Sequence, residues 1–144
     1  MADIPALPTH LTLEIVTPDR SITREQVDEV EIPGVEGYFG VLPGHTPLLA
    51  MLGVGELWYR QGQEKTYLAI AFGFAEVLPD RVTILAQLAE RAEDIDVRRA
   101  EAARDQAQAV LAKPTRETDL EEPRIALLKA TTRLQVASRA RTRA

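Results

Sequence analysis

Apolar and polar residues alternate in short runs through the first part of the chain. Leu11, Leu13 and Ile15 are separated by Thr12 and Glu14, and this period of two places the apolar side chains on one face of a half-buried β-strand. Further apolar or alternating runs follow at residues 30–32, 48–52, 56–60, 65–71, 74–78 and 81–86. Short strands with a turn every ten residues or so are typical of a β-sandwich or a β-barrel.

Turn residues separate these runs. All eight glycines lie between Gly34 and Gly73, and seven of the nine prolines precede Arg81. We expect Gly53 to end the run at 48–52. The other expected turns are Pro18-Asp19, Gln61-Gly62-Gln63 and Pro79-Asp80, and we expect Pro33-Gly34 to break the run at 30–32. The pattern therefore predicts an antiparallel β-sandwich over residues 1–87.

The pattern changes after residue 80, where glycine is absent and alanine becomes frequent. Residues 95–113 favour helix at almost every position, with Asp94 as the expected N-cap and Asp96 in the first turn, where its charge suits the helix dipole. Pro114 ends this helix, because proline cannot continue it.

A second helix follows after a short connection. Asp119 or Glu122 is the expected cap, and Pro123 is tolerated in the first turn of a helix. Two helices joined by a short loop form an antiparallel hairpin, which we place at residues 88–144. The expected fold class is therefore α+β.

Both helices carry an alanine-rich stripe. The first has Ala100, Ala103, Ala107, Val110 and Leu111, and the second has Leu127, Ala130, Leu134 and Ala137, with Ile125, Leu128 and Val136 beside them. Alanine buries little apolar area at ~25 cal/mol per Å², so this pair of helices alone is only marginally stable. We expect the hairpin to need the β-domain, a ligand or a partner, and to be able to take two positions.

Composition excludes several classes of protein. Hydrophobic residues make up 45% of the chain and charged residues 27%, as in an ordinary globular protein. The absence of cysteine excludes disulfides and thiolate zinc sites, and His10 and His45 are too few for a histidine-built metal cluster. No apolar run reaches the ~18–20 residues of a membrane-spanning helix. The first residues do not resemble a secretory signal, so we expect the chain to stay in the compartment where it is made.

The charge is unevenly distributed. The 144 residues carry a net charge of −5, which argues against nucleic-acid binding. Residues 124–144 nevertheless hold six basic and no acidic side chains, which leaves 11 basic and 22 acidic side chains before them. Such a segment suggests an arm that docks on a negative surface, although cations near a helix C-terminus also complement its dipole.

The densest motif is Ile-Pro-Gly-Val-Glu-Gly-Tyr-Phe-Gly-Val-Leu-Pro-Gly-His-Thr-Pro-Leu-Leu at residues 32–49. By itself such a string is compatible with a corner of the sandwich. Together with Asp-Ile-Asp-Val-Arg-Arg-Ala at residues 94–100, it resembles the epsilon subunit of F-type ATP synthases. The resemblance extends over about residues 11–137 and fits the order of a β-domain followed by two helices.

The resemblance implies a non-catalytic subunit of the central stalk, in a complex that makes ATP with a transmembrane proton gradient. In this family the β-sandwich contacts the gamma subunit and the membrane rotor ring. By match to the motif, Glu36 is the ring-facing acid and His45 lies at the stalk interface. Tyr38, Phe39 and Leu42 are the companions expected in such a contact, since apolar and aromatic residues dominate interfaces. Glu36 is otherwise a solvated turn carboxylate.

The resemblance also implies that the hairpin is a regulatory arm. Extended, the arm reaches the catalytic beta and alpha subunits and blocks ATP hydrolysis, and folded down it lies on the sandwich. The residues expected to meet acidic surface on the catalytic subunits are Lys129, Arg133, Arg139 and Arg141. The implied location is the cytoplasmic face of a bacterial cell membrane, as a peripheral subunit that does not insert into the bilayer.

Some family members bind ATP on the folded arm without hydrolysing it. The resemblance therefore implies ATP as a regulatory ligand of this chain, and it implies no required cofactor. The matching residues are Glu90, Ile95, Asp96, Arg99, Ala100, Lys129 and Arg133. Gln106 departs from the arginine that binding members can have, and Lys129 cannot form a fork onto phosphate. Asp96 and Arg99 are otherwise an acid and a base spaced three residues apart on a helix.

Two other functions are compatible with the residues alone. One is a free-standing β-sandwich that binds a peptide or glycan and uses its helices as an oligomerisation tail. The other is a small hydrolase that uses His45 with Glu36 or Asp80. The hydrolase lacks a nucleophile or metal motif, and the binding module is disfavoured because aromatic residues are only 5% of the chain.

Overall fold

The computed structural model describes residues 6–117 and 119–141, the last of these by its backbone alone. Its strands are β1 (Leu11–Val16), β2 (Ser21–Val27), β3 (Glu29–Gly34), β4 (Gly37–Val41), β5 (Leu48–Gln61), β6 (Glu64–Leu78) and β7 (Arg81–Arg91). A 3-10 turn at Ala92–Asp94 leads to the helices α1 (Val97–Ala112) and α2 (Glu121–Arg141). The predicted order of a β-domain followed by two helices is confirmed.

The seven strands form one hydrogen-bonded sheet in the order β2-β1-β7-β6-β5-β3-β4. Pairing is antiparallel except between β1 and β7, which run parallel. In a flat sheet β2 and β5 would lie roughly 19 Å apart, at ~4.8 Å per strand. The side chain of Gln61 nevertheless donates a 2.9 Å hydrogen bond from Nε2 to the carbonyl of Gln26. The sheet therefore curls over on itself, and its two halves enclose the core as in a sandwich.

The core lies between the two halves of the curled sheet. Leu11, Leu13 and Ile15 are fully buried, as the period of two predicted. Every strand contributes to this core, which includes Val27 and Tyr59. Burying these side chains is what stabilises the sheet, because each large apolar side chain contributes about 1.5–3 kcal/mol.

Three glycines that interrupt the apolar runs lie inside strands. Residue Gly53 does not end a strand, so that prediction is wrong: β5 continues through Gly53 and Gly55 to Gln61. A Cβ on Gly55 would collide with the hydroxyl of Tyr38. A Cβ on Gly73 would collide with the backbone of β7, and its φ of +127° favours glycine. Gly55 and Gly73 therefore permit close approach to their neighbours, and the chain continues in the strand at all three glycines.

The glycine-rich motif forms the hairpin of β3 and β4. Gly34 pairs with Gly37, so Val35 and Glu36 are the two residues of the turn. The break that we predicted at Pro33-Gly34 coincides with the end of β3, where Pro33 is still paired with Tyr38 and the turn follows Gly34. The sequence pattern also missed β2 and β4, because neither has a continuous alternation of apolar residues.

The beginning of α1 also differs from the prediction. Asp96 is the N-cap, and its Oδ1 accepts a 3.1 Å hydrogen bond from the backbone N–H of Arg99. The predicted cap, Asp94, belongs to the preceding 3-10 turn. At the start of α2, the carboxylate of Asp119 accepts a 3.0 Å hydrogen bond from the N–H of Glu121. The last strand runs to Arg91, past the boundary that we placed at residue 87.

The helical arm, formed by α1 and α2, packs on the outer face of the sheet through a small apolar contact. Val136 and Ala137 of α2 are buried with Ala69 of β6 and with Ala92 and Ile95 of the connection. The contact contains three alanines among its five buried residues, so it stabilises the docked arm far less than the core stabilises the sheet. Within residues 6–117 and 119–141, neither helix is long and apolar enough to cross a membrane.

Candidate functional site

A groove lies beside the β3–β4 hairpin, at the edge of the sheet. It is formed by residues 34–39 and 48–51 and has a volume of about 520 Å³. Glu36 is the charged residue among those that line it, and Tyr38 and Phe39 line it as well. The structure thus brings together three of the five residues that we predicted to contact the rotor ring and the gamma subunit.

The rim of the groove is apolar and exposed. Leu49 is 70% exposed, and Val35 and Met51 are each 57% exposed. Apolar side chains at neighbouring exposed positions are uncommon on a monomer and mark interaction surfaces. The predicted residue Tyr38 is exposed to the same degree as Met51.

The apolar surface continues across the outer face of three strands. Met51 of β5 pairs with Phe74 of β6, and Phe74 pairs with Leu85 of β7. All three are about half exposed. These three residues were not among those that we predicted for the interface. The signal was present, because the alternation along β6 and β7 puts apolar residues at positions that face away from the core.

The other predicted interface residues lie close by. Phe39 is half-buried and packs on the core, so it forms the side of the groove that is in contact with the core. Leu42 is exposed in the connection between β4 and β5. In the same connection, the ring of His45 donates from Nδ1 to the carbonyl of Thr46 over 2.6 Å. That bond fixes the orientation of the ring.

Tyr38 links the groove to strand β5. Its Oη accepts a 3.2 Å hydrogen bond from the backbone N–H of Glu56. The register between β3 and β5 shifts between Glu31 and Gly34, so this stretch of β5 lacks regular ladder partners on β3. The hydroxyl of Tyr38 takes the place of a ladder carbonyl there.

Glu56 also binds a residue of the helical arm. Two bonds join its carboxylate to the guanidinium of Arg139 on α2, one from Nε to Oε2 at 3.2 Å and one from Nη2 to Oε1 at 3.1 Å. The guanidinium lies 4.9 Å from the ring centroid of Tyr67. The side chain of Glu56 is only 11% exposed. Its hydrogen bonds and its charge raise the pKa of Arg139 above the ordinary arginine value.

Two further basic residues of the arm face the sheet. Nε of Arg133 donates to Oε1 of Glu90 over 2.7 Å. Nζ of Lys129 lies 5.5 Å from the ring centroid of Phe72. Together with Arg139, three of the four residues that we predicted to reach catalytic subunits therefore hold the arm on the sheet. The fourth prediction concerned Arg141, whose side chain lies outside the described residues.

Most of the residues that we predicted to bind ATP line a cavity of about 300 Å³ between β7 and the two helices. It is lined by Glu90, Asp94, Asp96, Arg99, Ala100 and Arg133. Five of the seven predicted residues are therefore brought together. Ile95 is buried in the contact between arm and sheet, and Lys129 lines another cavity beside Asp119.

The charges of this cavity limit what it can bind. Three carboxylates face two guanidiniums, and Arg133 already pairs with Glu90. One oxygen of Asp96, Oδ1, already accepts the N-cap bond. A triphosphate would need both arginines, because charge-assisted bonds from guanidinium are what hold phosphate oxygens.

Known proteins resemble this chain over almost its whole length. Residues 10–92 match the family described as ATP synthase, Delta/Epsilon chain, beta-sandwich domain, and residues 93–138 match the long alpha-helix domain of the same chain. An ATP synthase epsilon chain of Solibacter usitatus is 46% identical over 92% of this chain and 99% of that relative. One of Syntrophobacter fumaroxidans is 51% identical over 90% of this chain and 96% of that relative.

Solved structures show the same fold. A chain of the Euglena gracilis mitochondrial ATP synthase, in a structure of OSCP, F1 and c-ring, has a TM-score of 0.78 and 28% identity, covering 96% of this chain and 84% of that one. A chain of the Tetrahymena thermophila central stalk and c-ring has a TM-score of 0.52 at 13% identity, covering 94% of this chain and 98% of that one, and it supports the fold alone.

Proposed function

The chain belongs to the epsilon-chain family of ATP synthases and is a subunit of the central stalk, and we propose that its two parts have separate tasks there. The β-sandwich couples the gamma subunit to the membrane rotor ring. The helical arm restrains ATP hydrolysis by the catalytic beta and alpha subunits. The chain itself catalyses nothing and lies at the cytoplasmic face of a bacterial cell membrane.

The apolar groove and the surface beside it support the first task. Leu49, Met51 and Phe74 are exposed on a subunit that works inside a larger assembly. Such side chains gain free energy when a partner covers them, at about 25 cal/mol per Å² of apolar area. Glu36, at the turn of the hairpin, supplies a charge that orients a polar loop of the ring against the groove.

The observation that carries the regulatory proposal is the small contact between arm and sheet. Its apolar part has five buried residues, three of them alanines, and its polar part consists of the pairs Arg139–Glu56 and Arg133–Glu90. The Arg133–Glu90 pair is partly exposed, and such pairs are worth about 0–1 kcal/mol, whereas the fork between Arg139 and the largely buried Glu56 is the stronger of the two. Both pairs and the apolar contact together are far smaller than the core, so the arm detaches while the sheet stays folded, and its released arginines are then available to acidic surfaces of the catalytic subunits.

The test is the rate of ATP hydrolysis by the purified complex with and without the arm. A chain ending at Glu93 keeps β7 whole and removes both helices. We expect this truncated subunit to assemble and the complex to hydrolyse ATP faster than the full complex. Equal rates in two complexes with the same subunit content would refute the regulatory role.

We also propose ATP as a regulatory ligand of the docked arm. The support is the cavity that gathers Glu90, Asp96, Arg99, Ala100 and Arg133. Because Arg133 pairs with Glu90, bound phosphate must share or displace that contact. Binding would then join α1, α2 and the end of β7, and so favour the docked position by mass action.

A further inference from the structure

Glu56 is bonded on one side to the groove and on the other side to the arm. Its backbone N–H donates to Tyr38 Oη, and its carboxylate accepts two bonds from Arg139. Tyr38 lines the groove and is 57% exposed, whereas Arg139 belongs to α2. One residue of β5 therefore contacts both functional parts of the molecule.

The local backbone explains why a side chain serves as the acceptor here. Pro33 lies in the region where the pairing of β3 with β5 shifts register, so residues 53–57 of β5, Glu56 among them, have no ladder partner on β3. Gly55 has no side chain, and a Cβ there would collide with both Tyr38 and Pro33. The phenol can therefore reach the backbone of β5.

We propose that Glu56 couples the occupancy of the groove to the docking of the arm. A partner that displaces the Tyr38 hydroxyl leaves the N–H of Glu56 without its acceptor, and the backbone at Glu56 moves to find another. The fork with Arg139 depends on direction at both oxygens, so a small movement of the carboxylate weakens it. Binding in the groove then favours release of the arm, and release of the arm favours binding in the groove by the same factor.

This inference rests on the proposed function in one respect, namely that the arm leaves the sheet. The coupling differs from the regulatory role in what is measured, since coupling is observable in the isolated full chain without any hydrolysis assay. The two ideas therefore fail separately. A rate of hydrolysis that is the same with and without the arm would refute the regulatory role. An arm that opens equally often with and without the Tyr38 hydroxyl would refute the coupling.

The chain has no cysteine, so one introduced thiol reports on one place. Val136→Cys puts a thiol of similar size, the arm thiol, into the buried contact between arm and sheet. A second variant, Val82→Cys, has its only thiol, the core thiol, in the core of the sheet. The rate at which a soluble disulfide reagent modifies the arm thiol measures how often the arm opens. The rate at the core thiol measures opening of the sheet.

Tyr38→Phe removes the hydroxyl and keeps the ring. We expect it to raise the rate at the arm thiol by about 2- to 10-fold, the range that corresponds to one ordinary hydrogen bond, and to leave the rate at the core thiol unchanged. Glu56→Gln should raise the rate at the arm thiol by at least as much. If Tyr38 acts through Glu56, adding Tyr38→Phe to Glu56→Gln produces no further increase.

Tyr59→Phe is the matched control, because it removes a hydroxyl that contacts Arg91 and not Glu56. We expect it to leave the rate at the arm thiol unchanged. If Glu56→Gln exposes the core thiol as well, Arg139→Lys replaces it as the second member of the cycle, because Arg139→Lys breaks the fork from the side of the arm. Coupling is refuted if Tyr38→Phe leaves the rate at the arm thiol at the parent value, or if its effect has the same size after the fork is removed.

Discussion

Arg133 Nε lies 2.7 Å from Glu90 Oε1, and this pair joins the middle of α2 to the end of β7. Both residues also line the cavity proposed for ATP. One ion pair therefore belongs to the docking of the arm and to the candidate nucleotide site. Whatever binds in the cavity changes how firmly the arm is held.

Loosening the arm and deleting it should change ATP hydrolysis in opposite directions. We expect Glu90→Gln to lower the rate of hydrolysis by the purified complex, because a carboxamide weakens the bond to Arg133 and frees the arm to reach the catalytic subunits. Removing one partly exposed pair is worth about 0.5–1 kcal/mol, or roughly a two- to fivefold shift toward the released arm. Glu14→Gln changes a carboxylate on β1 and serves as the control. A faster reaction with Glu90→Gln would contradict the proposed direction.

The apolar groove should contribute most of the affinity for the stalk and the ring. Leu49→Ser replaces an apolar side chain that is 70% exposed, and we expect it to weaken binding to the gamma subunit by about 5- to 30-fold, as for a central interface residue. The measurement is a titration of purified gamma subunit with the full chain. Leu128→Ser makes the same chemical change on α2, where Leu128 is 49% exposed, and should leave the affinity unchanged. Equal losses from both substitutions would show that the groove has no special part in binding.

ATP binding by the isolated chain should depend on Arg99. Arg99→Gln removes a charge from the cavity, and we expect calorimetry to show binding at least about tenfold weaker, since hydrogen bonds to charged groups contribute about 1.5–3 kcal/mol. Arg104→Gln removes the same charge elsewhere on α1, where Arg104 pairs with Asp105, and is the matched control. The proposal of an ATP site is withdrawn if the parent chain produces no heat of binding at millimolar ATP.

Asp96 needs a substitution that preserves the helix. Its side chain caps α1, so Asp96→Ala would remove the cap together with the charge. Asp96→Asn keeps an oxygen that caps about as well. We expect Asp96→Asn to change the heat of ATP binding while circular dichroism shows unaltered helix content. Unchanged calorimetry would mean that Asp96 acts only as a cap.

Overpacking the contact under α2 should release the arm and leave the sheet folded. Ala137 is 3% exposed against the sheet, and Ala137→Leu forces extra methyl groups into that contact at a cost of about 1–3 kcal/mol. We expect amide hydrogen exchange to become faster along α2 and to stay slow in the core strands. Ala109→Leu changes an exposed alanine of α1 and should have no such effect. Protection of α2 that survives Ala137→Leu would mean that the arm is not held by this contact.

The local pattern predicted much of the secondary structure, but it misjudged the glycines that lie inside strands. The alternation of Leu11, Leu13 and Ile15 identified β1, because the side chains of a strand alternate whatever its neighbours are. Gly53 and Gly73 suggested interruptions, yet β5 and β6 pass through them. Whether a glycine bends a chain or lets another strand approach depends on its spatial neighbours, which the local pattern does not contain.

One candidate site could be predicted from a local motif, and the other could not. Asp96, Arg99 and Ala100 are close in sequence on one helix turn, so their motif placed them in a common cavity before the fold was known. Met51, Phe74 and Leu85 form one apolar surface because three strands pair in a particular register. Register depends on the whole sheet, so the sequence analysis did not join them.

By itself, the sequence determined the family, the order of a β-domain and two helices, and the alanine-rich nature of the arm. The family is implied by the motifs at residues 32–49 and 94–100, and the other two properties follow from residue type and short-range periodicity. The tertiary structure alone decided that Tyr38 and Arg139 meet at Glu56, across separations of 18 and 83 residues. Such contacts form only when the sheet curls and α2 lies on its outer face. No local preference of the chain encodes the distance between residues that far apart.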